Sequence, residues 1–80
     1  MPSNKITVLF FGQIAEQTGV RSAELQDQAD TDTAVRAIML RYPRLGQTPY
    51  QVALDLEIVH GNQALERDHT MAFLPPYAGG

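Results

Sequence analysis

The sequence predicts an α+β domain in which one main helix packs across one face of a mixed sheet of four or five strands. Two observations predict this class. The chain has 80 residues, of which 44% are hydrophobic and 19% are charged, a composition typical of a globular protein with one core. Strand-like apolar runs lie on both sides of a single stripe of helical periodicity, so strands and helix are segregated along the chain.

The first strand, a short helix and the second strand are predicted from the first third of the chain. Residues 5–11 (KITVLFF) carry apolar side chains on both faces, which favours an interior strand. Gly12 ends this strand, and the segment QIAEQTG favours a short helix with Gly19 as its C-cap. In RSAELQDQ, Ala23 and Leu25 alternate with polar residues, as in an edge strand with one buried face.

The main helix is predicted from Thr33 to Tyr42, because apolar residues recur there at positions i, i+3, i+4 and i+7. These residues are Val35, Ile38, Met39 and Tyr42. Either Thr31 or Asp32 is expected to supply the N-cap oxygen, and Pro43 is expected to end the helix. The segment RLGQTPY that follows is expected to be a loop.

Two further strand-like segments complete the chain. Alternating apolar residues from Val52 to Val59 predict one strand, and residues 70–74 predict the last one. A hairpin, a helix across one face and strands that return beside the first form the β-grasp arrangement, in which the first and last strands lie in the middle of the sheet. We therefore expect a β-grasp domain over residues 1–74 and an extended functional tail over residues 75–80.

Charge and composition exclude several classes of function. The net charge of -3 and a pI of about 5.1 disfavour nucleic acid as a partner. No stretch approaches the ~20 apolar residues that cross a bilayer, and the opening MPSNKITVLFF lacks the pattern of a signal peptide. We therefore expect a cytoplasmic protein whose partners are proteins. His60 and His69 are expected at the surface, without a metal, because no carboxylate spacing accompanies them.

The last eight residues, FLPPYAGG, predict a functional chain end. Pro75 and Pro76 fix φ and favour an extended conformation, and a merely frayed end would not need this stiffening. Residues 75–80 reach about 20 Å when extended, and glycines without a Cβ can let a carboxylate pass a narrow channel. Because the chain has no cysteine, sulfur chemistry would need another group. The candidate group is the Gly80 carboxylate, next to Gly79.

FLPPYAGG, the opening VLFFGQIAEQTG and the ending QALERDHTMAFLPPYAGG together resemble the small subunit of molybdopterin synthase, a sulfur carrier of the MoaD/ThiS ubiquitin-like family. The resemblance covers nearly the whole chain. It implies that an E1-like adenylyltransferase uses ATP to adenylate the Gly80 carboxylate, which is then converted to a thiocarboxylate. It also implies that the carrier binds no cofactor and is not catalytic alone. It would donate sulfur to cyclic pyranopterin monophosphate within a heterotetramer with the large subunit.

The resemblance further implies a surface for the large subunit. Its members are Phe11, Ile58 and Leu74 on the sheet, with Pro75, Pro76, Tyr77 and Ala78 in the tail. The phase of the first strand supports an outward position for Phe11. The family turns where periodicity predicts a strand at residues 55–57, so both readings of this segment stay open. A family glycine before the last strand is replaced by Asp68, which is then expected to adopt a left-handed backbone.

Three functions are compatible with the sequence. The first is the sulfur-donating subunit of molybdopterin synthase. The second is a carrier for another sulfur pathway, such as thiamine, tRNA thiolation or an amino acid. The third is a ubiquitin-like modifier joined to lysines, or an interaction domain whose glycines are idle. Removal of Gly80 would separate these, since only a carrier or modifier requires it.

Overall fold

The computed structural model describes residues 3–76. The sheet consists of β1 (Lys5–Phe10), β2 (Ser22–Gln26), β3 (Gln51–Leu54), β4 (Glu57–Ile58) and β5 (His69–Leu74). The helices are α1 (Gln13–Thr18), α2 (Thr31–Arg41) and a 3₁₀ helix (Pro43–Gln47). Within residues 3–76, no helix has the length and apolar character that spanning a membrane requires.

The five strands form one mixed sheet in the order β2-β1-β5-β3-β4. β1 and β5 are parallel, and each of the other pairs is antiparallel. The predicted β-grasp fold is therefore confirmed, including the central position of the first and last strands. β5 is hydrogen-bonded to a strand on each side, so the chain approaches its tail from the interior of the sheet.

The core lies between the sheet and α2. Ile6, Val8 and Phe10 of β1 are buried on this inner face, as the strand phase predicts. Phe10 packs edge-on against Tyr42, with ring centroids 5.5 Å apart, and also contacts Phe73. The remaining buried apolar residues of this core are Ile14, Leu25, Ala34, Ile38, Leu45, Leu54, Leu65, Met71 and Phe73.

The ends of α2 differ from the sequence prediction. Its N-cap is Asp30, not Thr31 or Asp32, because the Asp30 side chain accepts the Thr33 N–H at 2.8 Å. Thr31 is buried in the first turn, and its hydroxyl donates to the Asn62 side chain. At the other end, Pro43 ends α2 as predicted but also starts the 3₁₀ helix where a loop was expected. Proline is tolerated at a first helical position because it needs no N–H partner there.

The segment predicted by periodicity as one strand is a hairpin. Asp55 and Leu56 have φ values of 50° and 76° and form the two-residue loop between β3 and β4. The prediction from periodicity was wrong, and the turn that the resemblance implies at this segment is correct. The loop has a geometric consequence, because it pairs Ile58 with Ala53 on the outer face of the sheet. A continuous strand would have placed Ile58 on the inner face with Val52.

Two predictions for the segment before β5 also need correction. Asp68 does not have a left-handed backbone; its carboxylate accepts the Lys5 N–H at 2.8 Å and so fixes the start of β1. His69 is buried, not on the surface, because the first residue of β5 faces inward and its ring bonds to Asp55. His60 is exposed, as predicted.

Candidate functional site

The outer face of the sheet carries a groove lined mostly by apolar residues. One row of residues in cross-strand register runs across it: Leu9, Ala72, Ala53 and Ile58. Because the two central members are alanines, the middle of the row is lower than its ends. The result is a groove of about 600 Å³ on the face opposite α2.

The three sheet residues predicted to bind a partner line this same groove. Phe11 is 45% exposed and Ile58 is 40% exposed, while Leu74 is half-buried. The outward position of Phe11 agrees with the phase of its strand. The structure thus brings together residues that are up to 63 positions apart in the sequence. Large exposed apolar groups that share one surface are typical of protein interfaces. Their part in binding a partner stays a prediction.

The base of the tail is held by contacts from two different segments. Gly12 has φ +56°, and a Cβ at this position would lie 3.3 Å from Cγ of Pro75. The Phe11 N–H donates to the Phe73 carbonyl at 3.2 Å, which joins the same segment to the end of β5. On the other side, the Gln51 side-chain amide donates to the Pro76 carbonyl. These contacts set the direction in which the chain leaves the sheet.

The structure describes only the first two of the six predicted tail residues. Pro75 and Pro76 are described and directly follow Leu74, which lines the groove. Tyr77, Ala78, Gly79 and Gly80 lie outside the described residues.

Asp55 is the charged group at the far end of the groove. Its carboxylate accepts the Thr70 N–H at 3.0 Å and lies 2.5 Å from Nδ1 of His69. Nη2 of Arg67 lies 3.9 Å away. Two hydrogen bonds lower the pKa of the Asp55 carboxyl below its ordinary value. The larger cause is the bond from the Thr70 backbone N–H, and the next is the bond with the His69 side chain. The carboxylate therefore links the β3–β4 turn to the start of β5.

Sequence reasoning missed several residues of the site. Gln51 and Gly12 hold the base of the tail, yet in the sequence Gln51 falls between a predicted loop and a predicted strand, and Gly12 reads as a strand terminator. Ala53 and Ala72 form the floor of the groove, and their size matters only once the strands are aligned. Among these, the glycine after β1 gave the one available signal, since a glycine can mark a close approach of another segment. Within residues 3–76, no group of three His, Asp or Glu side chains is placed to hold a metal ion.

Solved structures with this architecture include proteins of two kinds. SAMP1, the small archaeal modifier protein 1 of Haloferax volcanii, is 20% identical with a TM-score of 0.77, over 95% of this chain and 99% of that one. A putative molybdopterin converting factor, subunit 1, from Pyrococcus furiosus is 17% identical with a TM-score of 0.82, over 92% and 99%. At these identities the likeness shows a shared fold.

A third structure is a complex of subunits 1 and 2 of the molybdopterin-converting factor from Helicobacter pylori. The matching chain is 25% identical with a TM-score of 0.71, over 95% of this chain and 99% of that one. Sequence comparison extends the likeness to the family level, since the profile of the ThiS family matches residues 8–80. The match includes the last three residues of β1, the groove residues and the whole tail. This chain therefore belongs to the ThiS family.

Proposed function

We propose that this protein is the sulfur-carrying small subunit of a molybdopterin synthase, and that it carries sulfur as a thiocarboxylate on Gly80. One observation carries the proposal. The central strand β5 leads directly into Pro75 and Pro76, whose exit is held by Gly12 and Gln51, and the sequence then continues to the glycine pair. A tail whose base is fixed to the sheet and whose last two residues have no side chain suits delivery of a carboxylate into another protein.

The chemistry follows from the absence of any sulfur nucleophile on the chain. An E1-like adenylyltransferase would bind ATP, and a Gly80 carboxylate oxygen would attack its α-phosphorus with release of pyrophosphate. Sulfide, or a donor that delivers sulfur at the oxidation level of sulfide, would then attack the acyl carbon, displace AMP and leave the thiocarboxylate. Because Gly79 and Gly80 have no side chain, both reactions can take place in a narrow site. In this scheme the carrier holds no cofactor of its own.

The apolar groove supports the assignment to molybdopterin synthase. It lies at the base of the tail, so a protein docked on Phe11, Ile58 and Leu74 would receive the tail next to its own surface. The Helicobacter pylori complex shows subunit 1 of a converting factor assembled with subunit 2. We propose that a large subunit of this kind occupies the groove, in a heterotetramer of two small and two large chains. The acceptor would be cyclic pyranopterin monophosphate, and the large subunit would supply the catalytic groups.

The test is the intact mass of the protein purified from cells that also contain its cognate E1-like enzyme. The expected mass exceeds that of the encoded chain by the difference between one sulfur and one oxygen atom. A variant without Gly80 should keep its circular dichroism spectrum and melting temperature but remain unmodified. An unmodified wild-type chain, with no trapped adenylate, would refute the carrier chemistry.

The pathway is tested separately, by mixing the thiocarboxylate form with the large subunit and cyclic pyranopterin monophosphate. Formation of the dithiolene supports molybdopterin synthesis. Sulfur transfer to a thiazole precursor, a tRNA or an amino acid instead would identify a carrier of another pathway.

A modifier is the second candidate, because SAMP1 has the same fold at a TM-score of 0.77. A modifier would join its carboxyl group to lysine amines of other proteins. Its signature would be an isopeptide between Gly80 and a lysine, which mass spectrometry of tryptic digests detects. Such adducts, without the dithiolene product, would favour the modifier over the synthase subunit.

A further inference from the structure

The turn between β3 and β4 contains a residue that the turn itself does not favour. Asp55 and Leu56 are its two central residues, and both have positive φ. Two-residue hairpin loops of this kind prefer Asn or Asp at the first position and glycine at the second, where a Cβ is crowded by the backbone. Asp55 satisfies the first preference. Leu56 occupies the second position, with φ 76° and a γ-branched side chain.

Leu56 is also exposed to solvent almost completely. Its relative exposure is 99%, the highest among the large apolar residues that are exposed within residues 3–76. It therefore contributes nothing to the core that could offset its backbone strain. A leucine is unfavourable here both because the backbone has a positive φ and because its apolar side chain is in water. Such a residue is expected where it serves function and not stability.

The turn is held in place on both of its sides. The Asp55 N–H donates to the Thr70 carbonyl at 2.8 Å, and the Asp55 carboxylate accepts the Thr70 N–H in return. The same carboxylate contacts the buried His69 ring, and the Val59 N–H donates to the Val52 carbonyl. Leu56 is thus presented from a fixed backbone. A side chain presented in this way loses less conformational entropy when it binds.

Leu56 continues the apolar surface of the groove. It lines the same groove as Ile58 and Ala53, at the end that lies by Asp55. We propose that Leu56 is an anchor that inserts into an apolar pocket of the protein docked on this groove. In the proposed function, on which the identity of the partner rests, that protein is the large subunit. A second copy is the less suitable occupant, because two chains of net charge -3 repel each other.

The test compares Leu56→Gly with wild type in two measurements. Glycine is favoured at this turn position, so the melting temperature of the variant should rise by about 2–5 °C. Its dissociation constant for the cognate large subunit, measured by isothermal titration calorimetry, should increase at least about tenfold. A variant that is more stable yet binds more weakly cannot be explained by misfolding.

Leu40→Ala is the matched control, because Leu40 is a 79% exposed leucine on α2, on the opposite side of the sheet from the groove. It should bind the large subunit as wild type does. If the wild type binds the large subunit and Leu56→Gly binds it with the same affinity, the anchor role of Leu56 is wrong, while the assigned partner stands. Failure of the wild type to bind would instead overturn the assigned partner, and the anchor with it. A wild-type dimer that Leu56→Gly dissociates, detected by sedimentation, would show that a second copy is the occupant.

Discussion

The contact between Gly12 and Pro75 predicts that Gly12→Ala affects stability and sulfur transfer through two different causes. Gly12 has φ 56° and ψ -133°, a region that residues with a Cβ rarely adopt. Gly12→Ala should therefore reduce the free energy of unfolding by about 1–3 kcal/mol. For a domain of this size that energy corresponds to a fall in melting temperature of about 4–8 °C per kcal/mol. The fold should survive, since the total stability is about 4–12 kcal/mol at typical values per residue.

The added methyl group has a second effect, because it would lie 3.3 Å from Cγ of Pro75. Pro75 would have to move by a few tenths of an ångström, at the point where the tail leaves β5. Since small misplacements of a reacting group lower rates steeply, we expect about a tenfold loss in the rate of sulfur transfer. The assay is single-turnover transfer from the thiocarboxylate form to the acceptor, at a temperature where the variant is fully folded.

Gly19→Ala is the matched control for backbone strain. Gly19 also has positive φ, at +80°, but nothing lies within 4 Å of an added Cβ. This variant should lose stability without losing transfer rate. Gly61→Ala is the control for any general effect of replacing a glycine, because Gly61 has neither a positive φ nor an atom within 4 Å of an added Cβ. It should change neither stability nor transfer rate appreciably. Equal loss of transfer in Gly12→Ala and Gly19→Ala would refute the idea that the Pro75 contact aims the tail.

Two further predictions concern Asp55 and Gln51. The pKa of Asp55 is lower in the folded state than in the unfolded state, so its ionised form stabilises the fold. This stabilisation is fully present above the unfolded pKa of about 3.9 and is lost as pH falls through the folded pKa. Asp55→Asn should therefore be less stable than wild type at pH 7 and should lose less stability on acidification. Urea denaturation at pH 7 and pH 3 measures both effects. Identical losses of stability in the two proteins would contradict this prediction. Gln51→Ala removes the hydrogen bond to the Pro76 carbonyl and should slow sulfur transfer several-fold while the melting temperature changes little. Transfer at the wild-type rate would show that Gly12 alone positions the tail.

Residual acid sensitivity in Asp55→Asn has an identifiable source. Asp30 also has a lowered pKa, chiefly because its carboxylate accepts hydrogen bonds from Thr33 at the N-terminus of α2. Its contribution to stability has the same sign, because it is present above the unfolded pKa and lost as pH falls through the folded pKa. A variant that combines Asp55→Asn with Asp30→Asn should show a flatter profile than either single change.

Three of the strands, β1, β2 and β5, and the main helix could be predicted from the sequence because each depends on local pattern. Residues 5–10 are apolar on both faces, and this pattern correctly indicated a strand inside the sheet. The N-cap of α2 was misplaced, since Asp30, Thr31 and Asp32 can all cap a helix, and the Thr31 hydroxyl is instead bonded to the Asn62 side chain, which lies 31 residues away. His69 was misplaced because its partner, Asp55, is 14 residues away.

The site was less predictable than the fold because it depends on strand register. Apolar residues occupy both alternating sets of positions in residues 52–59, with Val52 and Leu54 in one set and Ala53 and Val59 in the other. The pattern therefore did not reveal the change of phase that the turn at Asp55 and Leu56 introduces. The resemblance supplied that turn. The groove floor could not have been predicted either, since Ala53 and Ala72 are 19 residues apart and meet only through the pairing of β3 with β5.

The topology suits the proposed delivery of a carboxylate by a short tail. β5 is paired with β1 from His69 to Phe73 and with β3 from Met71 to Leu74, so its end lies in the hydrogen-bonded interior of the sheet, where local opening is expected to be rare. The groove proposed to bind a partner lies on the outer face of the sheet that these strands form. A docked protein would therefore hold the carrier by the element from which the tail emerges, and any motion of that element would move both together. The distance from the docking surface to the reactive carboxylate would then depend only on the residues from Pro75 onward. This is why we place the positioning role in Gly12 and Gln51, which contact the first two of those residues, and not in α2, which packs against the inner face.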